Sequence, residues 1–407
     1  LKTRASSGAR PPHACARCPA PRDPGGEPGR ARRMARRGGA GPLLRLQLAT
    51  SLCLLAAGRG ADSGAHASRR MYDASRRIES AQIFGNVDAY AYYFIDLLVG
   101  TPPQRVSVIL DTGSGVCAFP CSGCTHCGHH IDPAFEFGRS SSASWLPCAG
   151  CGGTCLHGKC SYYQGYTEGS SIKGYWFEDY VSIGDTLDHN PPVKARMGCH
   201  NNENNLFYTQ KANGILGVGP RGRTFNTLLQ ELFKDRGHVN ENICAICLSE
   251  WGGRLVVGGF NTSYHLGPVQ YVPMKTHTGY YGVTVTAMSL AGRTLARGVF
   301  GSTMIDSGTT YTYMGAEPYR ALRQAVEGHC RANQGCHAKQ EGKCWTIAAG
   351  PAGLAAFPTI DVHLGEVVLP WLPKAYLYRR GTRNVWCYAF ENDGPKANTV
   401  LGASWML

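Results

Sequence analysis

At 407 residues the chain is too long for one ordinary domain and long enough for two lobes that each bury a core. Its 52 glycines, its tyrosines and its many short Val, Ile and Leu runs favour a largely β protein, because glycine punctuates turns while β-branched and aromatic side chains suit pleated surfaces. The net charge of +13 is concentrated in residues 1–80, where 16 basic side chains face 5 acidic ones (+11); the +2 left for residues 81–407 argues against a basic groove for nucleic acid.

Residues 1–33, which begin with Leu1, read as upstream or mis-called sequence. Residues 34–60 read as a signal peptide, with Met34, Arg36 and Arg37 ahead of the apolar stretch Pro42 to Ala57. Arg45 and Gln47 interrupt that stretch, which falls short of the ~20 apolar residues a spanning helix requires, so a cleaved leader is expected rather than an anchor. Residues 61–89 form a pro-segment or linker, in which Arg69-Arg70 and Arg76-Arg77 are either processing sites or solvated chain. Eighteen cysteines point to an oxidising compartment.

An N-terminal lobe is expected over 90–265. Tyr93 to Gly100 reads as a strand, Thr101 to Gln104 as a turn, and Val106 to Leu110 as a second strand ending in Asp111-Thr112-Gly113-Ser114. A hairpin follows, with a strand around Tyr162, a tip at Tyr166-Thr167-Glu168-Gly169-Ser170, and a strand from Gly174 to Ile183. Thr224 to Lys234 has helical apolar spacing, with Thr224 as its N-cap.

The plan repeats in a C-terminal lobe, 266–407. Tyr281 to Met288 alternates as a strand, Ala291-Gly292-Arg293 turns, and Ser302 to Ile305 leads into Asp306-Ser307-Gly308-Thr309. Ala316 to Cys330 is the second helical segment. Each half also holds an apolar-apolar-glycine element, Ile215-Leu216-Gly217 and Val400-Leu401-Gly402, whose glycine lets it cross close beside the Asp turn. The expected fold is all-β and bilobal, two duplicated lobes facing across a cleft.

If the lobes pair symmetrically, Asp111 and Asp306 meet in the cleft and hold one proton between them as a coupled pair. One carboxylate can take a proton from a bound water while the other hydrogen-bonds or protonates a scissile carbonyl, with no covalent intermediate, metal or other cofactor. Thr112 and Ser307 are placed to lock the two turns together, and Ser114 and Thr309 to donate to the outer carboxylate oxygens. A lone Asp-Thr-Gly is a weak signal; two of them, one per repeated half and each with its own glycine partner, form a strong one. Tyr166 would cap the cleft as a flap that excludes water, and Glu168 would either offer a negative charge to the substrate or remain a solvated turn residue.

These paired motifs resemble the pepsin-like aspartic proteases over residues 90–407. More narrowly, Phe119 to Gly128, the flap with Glu168-Gly169-Ser170, Met197-Gly198-Cys199-His200 and Lys343-Cys344-Trp345 look like plasmepsin V and its relatives among apicomplexan parasites. That resemblance implies a protease of the secretory pathway, in the ER or Golgi, cleaving exported proteins at an Arg-x-Leu type motif, with Glu168 contacting the arginine. It also implies polypeptide substrates, a monomer, and a membrane anchor beyond a truncated C-terminus. Two departures stand out. The tryptophan that many pepsins carry seven residues after the first catalytic Asp is Ala118 here, which removes its hydrogen bond to the flap tyrosine, and Gly115 replaces a common serine.

Cys117, Cys121, Cys124, Cys127, Cys148, Cys151, Cys155 and Cys160 crowd residues 117–160, with His126, His129, His130 and His157 among them. Zinc is a rival reading, since Cys-x-x-Cys pairs are common ligands, but a secretory location and an even count favour disulfides, as does the resemblance to proteases with a stapled insert of the nepenthesin type. Spacing does not give the pairing. Seven further cysteines, Cys199, Cys244, Cys247, Cys330, Cys336, Cys344 and Cys387, leave an odd one, matching a partner beyond Leu407 or a free thiol. Asn261-Thr262-Ser263 is a glycosylation sequon or a turn. Three functions fit: a processing endopeptidase, a general degradative protease, and an inactive binding protein on the same scaffold.

Overall fold

The computed structural model describes residues 53–57, 78–184, 192–260, 265, 267–275, 278–381, 384–395 and 397–407. The sequon at Asn261, the paired arginines and residues 1–33 lie outside them. Within the expected leader only residues 53–57 are described, as a strand, Cys53–Ala57, antiparallel to Ile243–Ser249. No helix among the described residues is long and apolar enough to cross a membrane.

Strands dominate, as the composition predicts. Those up to Val257 join a 13-stranded sheet, and those from Gly282 onward join three smaller sheets. The duplication shows as a repeated pairing pattern. In the first half the Asp strand, Gln104–Asp111, runs parallel to Gly214–Gly217, which is antiparallel to Cys117–Pro120, itself parallel to Val193–Glu203. In the second half Thr303–Asp306 runs parallel to Thr399–Gly402, then antiparallel Thr312–Met314, then parallel Phe390–Asn392. Val106 to Leu110 is buried throughout and apolar except at Ser107, whose hydroxyl donates to Asn213 Oδ1 at 2.8 Å, as a strand covered on both faces requires.

Three expectations are corrected. Tyr281 to Met288 is two strands: Gly282–Val283 pairs with Thr303–Met304, while Ala287–Leu290 pairs with Arg293–Arg297 and Ile360–Leu364, so the chain changes sheets between them. The helix near Thr224 begins later, at Leu228–Lys234 with Thr227 as N-cap. Thr227 Oγ1 accepts from the Gln230 amide at 3.2 Å and Gln230 Oε1 accepts from the Thr227 amide at 3.0 Å, a reciprocal cap that outcompetes Thr224. The second helix runs Ala316–Ala332, close to expectation.

The third concerns cysteine. Seven of the eight insert cysteines are bridged, as Cys124–Cys127, Cys148–Cys155, Cys151–Cys160 and Cys121–Cys199, the last reaching outside the insert. Cys117 is a buried free thiol. It lies on the same short strand that puts Phe119 opposite Cys199, so it is Cys121, just past the strand's end, that meets Cys199. Zinc is displaced from the Cys-x-x-Cys pairs because their sulfurs are joined covalently. In the second half Cys330–Cys336 and Cys344–Cys387 are bridged, and Cys244 is a buried free thiol whose pKa burial pushes up to about 12.

Candidate active site

The parallel register places Asp111 opposite Gly217 and Asp306 opposite Gly402, so both acids end a buried strand at the same point of the duplicated pattern. The glycines are required there. A Cβ on Gly217 would lie 2.4 Å from the Val116 nitrogen, and one on Gly402 would lie 2.1 Å from the Tyr311 carbonyl oxygen.

The two Asp turns grip each other. The Thr112 amide donates to Ser307 Oγ at 3.1 Å and the Ser307 amide donates to Thr112 Oγ1 at 2.8 Å. Each hydroxyl then donates across to the other strand, Thr112 Oγ1 to the Ile305 carbonyl at 3.0 Å and Ser307 Oγ to the Leu110 carbonyl at 2.6 Å. All four residues that supply these six atoms are buried, so every donor and acceptor must find its partner inside the protein.

That lock brings the carboxylates together. A Cβ on Gly308 would sit 2.4 Å from Asp111 Oδ1, and one on Gly113 would sit 2.6 Å from Asp306 Oδ1. The Gly113 amide donates to Asp111 Oδ1 at 2.8 Å and the Gly308 amide to Asp306 Oδ1 at 2.9 Å. Ser114 Oγ donates to Asp111 Oδ2 and Thr309 Oγ1 to Asp306 Oδ2, the latter at 2.5 Å. Asp111 and Asp306 are 4% and 7% exposed. Burial first, and the Asp306 charge second, hold the Asp111 carboxyl well above the usual carboxylate range, against the pull of the Ser114 and Gly113 donors.

The hairpin Lys159–Gly165 and Ser171–Ile183 carries the flap. Its tip closes through the Tyr166 amide to the Ser170 carbonyl at 2.9 Å and the Gly169 amide to the Tyr166 carbonyl at 3.0 Å, with Gly169 at φ +92° where a side chain would be strained. Tyr166 packs on the cluster of Phe94, Ile109, Ala118, Trp176 and Phe207. Its hydroxyl is buried with no completed hydrogen bond, as the loss of a tryptophan at 118 leads one to expect. Burial and then the Asp111 charge push its ionisation well above the usual tyrosine range, the nearby Ser114 hydroxyl opposing. Glu168 is exposed at the tip and has no basic partner among the described residues, while Ser170 is buried. Gly115 stands where a serine is common because residues 221 and 222 approach it: a Cβ there would meet the Arg221 carbonyl oxygen at 2.7 Å.

Sequence reasoning missed Glu203, His130 and His200 as a group. Glu203 is fully buried and accepts from His200 Nδ1 at 2.8 Å, His130 Nε2 at 3.1 Å and the Gly128 amide at 3.1 Å. The histidines were visible in the sequence, but nothing in their spacing joins residue 130 to 203. Among the described residues no group of three or more His, Cys, Asp or Glu side chains stands in metal-binding geometry.

Two buried carboxyl groups on facing glycine turns, each ending a strand of a duplicated β lobe, define the aspartic protease architecture. The profile of the family described as eukaryotic aspartyl protease matches residues 92–406, and the chain belongs to that family. It is 33% identical over 389 residues to Aspartic protease 5 of Toxoplasma gondii, an alignment covering 81% of this chain and 36% of that protein. It is 40% identical over 201 residues to plasmepsin V of Plasmodium falciparum, covering 47% of this chain and 34% of that one. Nepenthesin-1 of Nepenthes gracilis is 27% identical over 305 residues, covering 68% and 66%. The matches to the two apicomplexan proteins thus span about a third of those relatives' own lengths.

Proposed function

We propose that the chain is the catalytic part of an aspartic endopeptidase in which Asp111 and Asp306 share one proton and activate one water. The ionised carboxylate takes a proton from the water as it attacks the scissile carbonyl, and the protonated one supplies a hydrogen bond or proton to the carbonyl oxygen. The two then exchange roles as the amine leaves. The observation that carries this reading is the mutual lock of Thr112 and Ser307, which fixes two buried acids side by side. Thr112, Gly113, Ser114, Ser307, Gly308 and Thr309 act as supports that orient the carboxylates, and Tyr166, Glu168, Gly169 and Ser170 as the flap over the peptide.

The substrates are secreted or exported proteins cut at an Arg-x-Leu type motif, and the enzyme works in the secretory pathway. The similarity to plasmepsin V and to Aspartic protease 5 supports this, together with the six disulfides among the described residues, which need an oxidising compartment. Glu168, exposed at the flap tip with no basic partner among the described residues, takes the substrate arginine by a charge-assisted hydrogen bond in this reading. In this arrangement residues 34–60 are the leader, 61–89 the pro-segment or linker, and 90–265 and 266–407 the two catalytic lobes. Cleavage of peptides bearing Arg-x-Leu against their Arg→Ala versions tests it. The proposal expects a loss of at least about tenfold in kcat/KM without the arginine. Equal cleavage of both would leave a general protease with no export specificity.

A further inference from the structure

The buried Tyr166 hydroxyl has no hydrogen-bond partner, but the structure shows a brace for the flap tip at its side. The Ser171 amide donates to Asn204 Oδ1 at 2.5 Å, Asn205 Nδ2 donates to the Gly169 carbonyl at 2.8 Å, and the Leu206 amide donates to Ser170 Oγ at 3.2 Å. The Phe207 ring lies 5.0 Å from that of Tyr166. Four consecutive residues, 204–207, therefore hold the flap tip. They belong to a segment that cannot hold itself: Asn205–Thr209 is a five-residue helix, far below the length at which a helix is stable alone, and Asn205 sits at φ +46°.

The segment is pinned from the disulfide-stapled insert. Glu203, at its start, takes His130 Nε2 on one carboxylate oxygen and His200 Nδ1 on the other, and its own amide donates to the His126 carbonyl at 2.8 Å. His130 also reaches the far end, its Nδ1 bonded to the Gln210 carbonyl at 3.1 Å, and the Ile131 amide donates to the Lys211 carbonyl at 2.8 Å. His130 therefore spans the segment, with one ring nitrogen on the buried Glu203 carboxylate and the other on the Gln210 carbonyl. His200 bonds through one nitrogen while Nε2 is buried without a partner, which suits a neutral ring. Cys124–Cys127 closes the loop just ahead of Gly128, whose amide is the third donor to the Glu203 carboxylate.

We infer that His130 and Glu203 are positioning residues for the flap, through which the cysteine-rich insert sets how tightly the cleft grips its peptide. The inference rests on the endopeptidase reading for its effect on cleavage, but its structural half can be read without catalysis. In the full-length protein, Glu203→Gln keeps the size and one acceptor oxygen but turns an NH2 group toward the His130 or Gly128 donor. Asn205→Ala removes one flap contact at an exposed site. Amide hydrogen exchange over residues 165–171 should quicken by about tenfold in either variant, with the melting temperature lowered far less. On a fluorogenic Arg-x-Leu peptide, KM should rise by about three- to tenfold with kcat little changed.

In the double variant the two effects should combine to less than their product, because both changes act through the one segment that holds the flap tip. Wild-type flap exchange in Glu203→Gln, or effects that simply multiply in the double variant, would overturn the inference. If Glu203→Gln does not fold, His130→Ala, which removes the contacts at both ends of the segment, carries the same test with the same two outcomes. If no form cleaves any peptide while flap exchange still responds, the endopeptidase reading fails and the positioning role stands.

Discussion

Thr112 and Ser307, 195 residues apart, hydrogen-bond each other's backbone and each other's strand across the cleft, and the two carboxylates next to them follow. A side chain that cannot accept or donate there strands buried amides and carbonyls on both lobes. Thr112→Val, which keeps the shape and removes the hydroxyl, should destabilise the protein by about 1–3 kcal/mol. It should also lower kcat, since the carboxylates lose their fixed separation. Chemical denaturation followed beside peptide cleavage checks both, and an unchanged midpoint would mean that the lock contributes nothing.

Asp111 gives a pH dependence whose sign is fixed. Its pKa is raised in the fold by burial and by Asp306, so between the unfolded value near ~3.9 and the raised folded value the native state binds the extra proton. Stability from this group is full below the unfolded pKa and is lost as pH rises through the folded one. Asp111→Asn should therefore melt above the wild type at pH 7, with the gap narrowing toward pH 4. Calorimetry at several pH values reads this directly, and parallel curves would contradict it.

Gly308→Ala places a methyl group 2.4 Å from Asp111 Oδ1 on the backbone as it stands. Since one group or the other must move, cleavage should fall by about 100-fold or more, the scale of loss seen when reacting groups shift by an ångström. The melting temperature should move much less. Near-normal cleavage would show that the carboxylates tolerate wider spacing.

The Cys121–Cys199 bridge closes a loop with a sequence separation of 78. In the chain-entropy account a loop of this size contributes about 4 kcal/mol, so Cys121→Ser should cost more stability than Cys124→Ser, whose bridge spans a separation of 3. Paired urea titrations of the two variants compare them, and equal losses would argue against the entropic account.

How much of this was legible in the sequence divides along range. Asp111 and Asp306 were readable because each announces itself locally, an apolar strand running into a glycine turn, and because the motif occurs twice. The partners Gly217 and Gly402 were readable for the same reason. Thr227 was missed in favour of Thr224 because two threonines compete for the cap, and only the Gln230 contact decides. Cys121–Cys199 and the bond from His130 to Glu203 depend on register between segments some 70 to 80 residues apart, which no local pattern records. Cys117 was grouped with its neighbours by spacing, whereas its place on a buried strand keeps its thiol from any partner.

The most direct test of the shared-proton dyad is the initial rate of peptide cleavage by the wild type, Asp111→Asn and Asp306→Asn, each first shown to be folded by its melting curve. The account predicts that either substitution alone lowers kcat by at least about 1000-fold, because neither acid can replace the other's half of the proton transfer. A variant that retains the wild-type rate would contradict it.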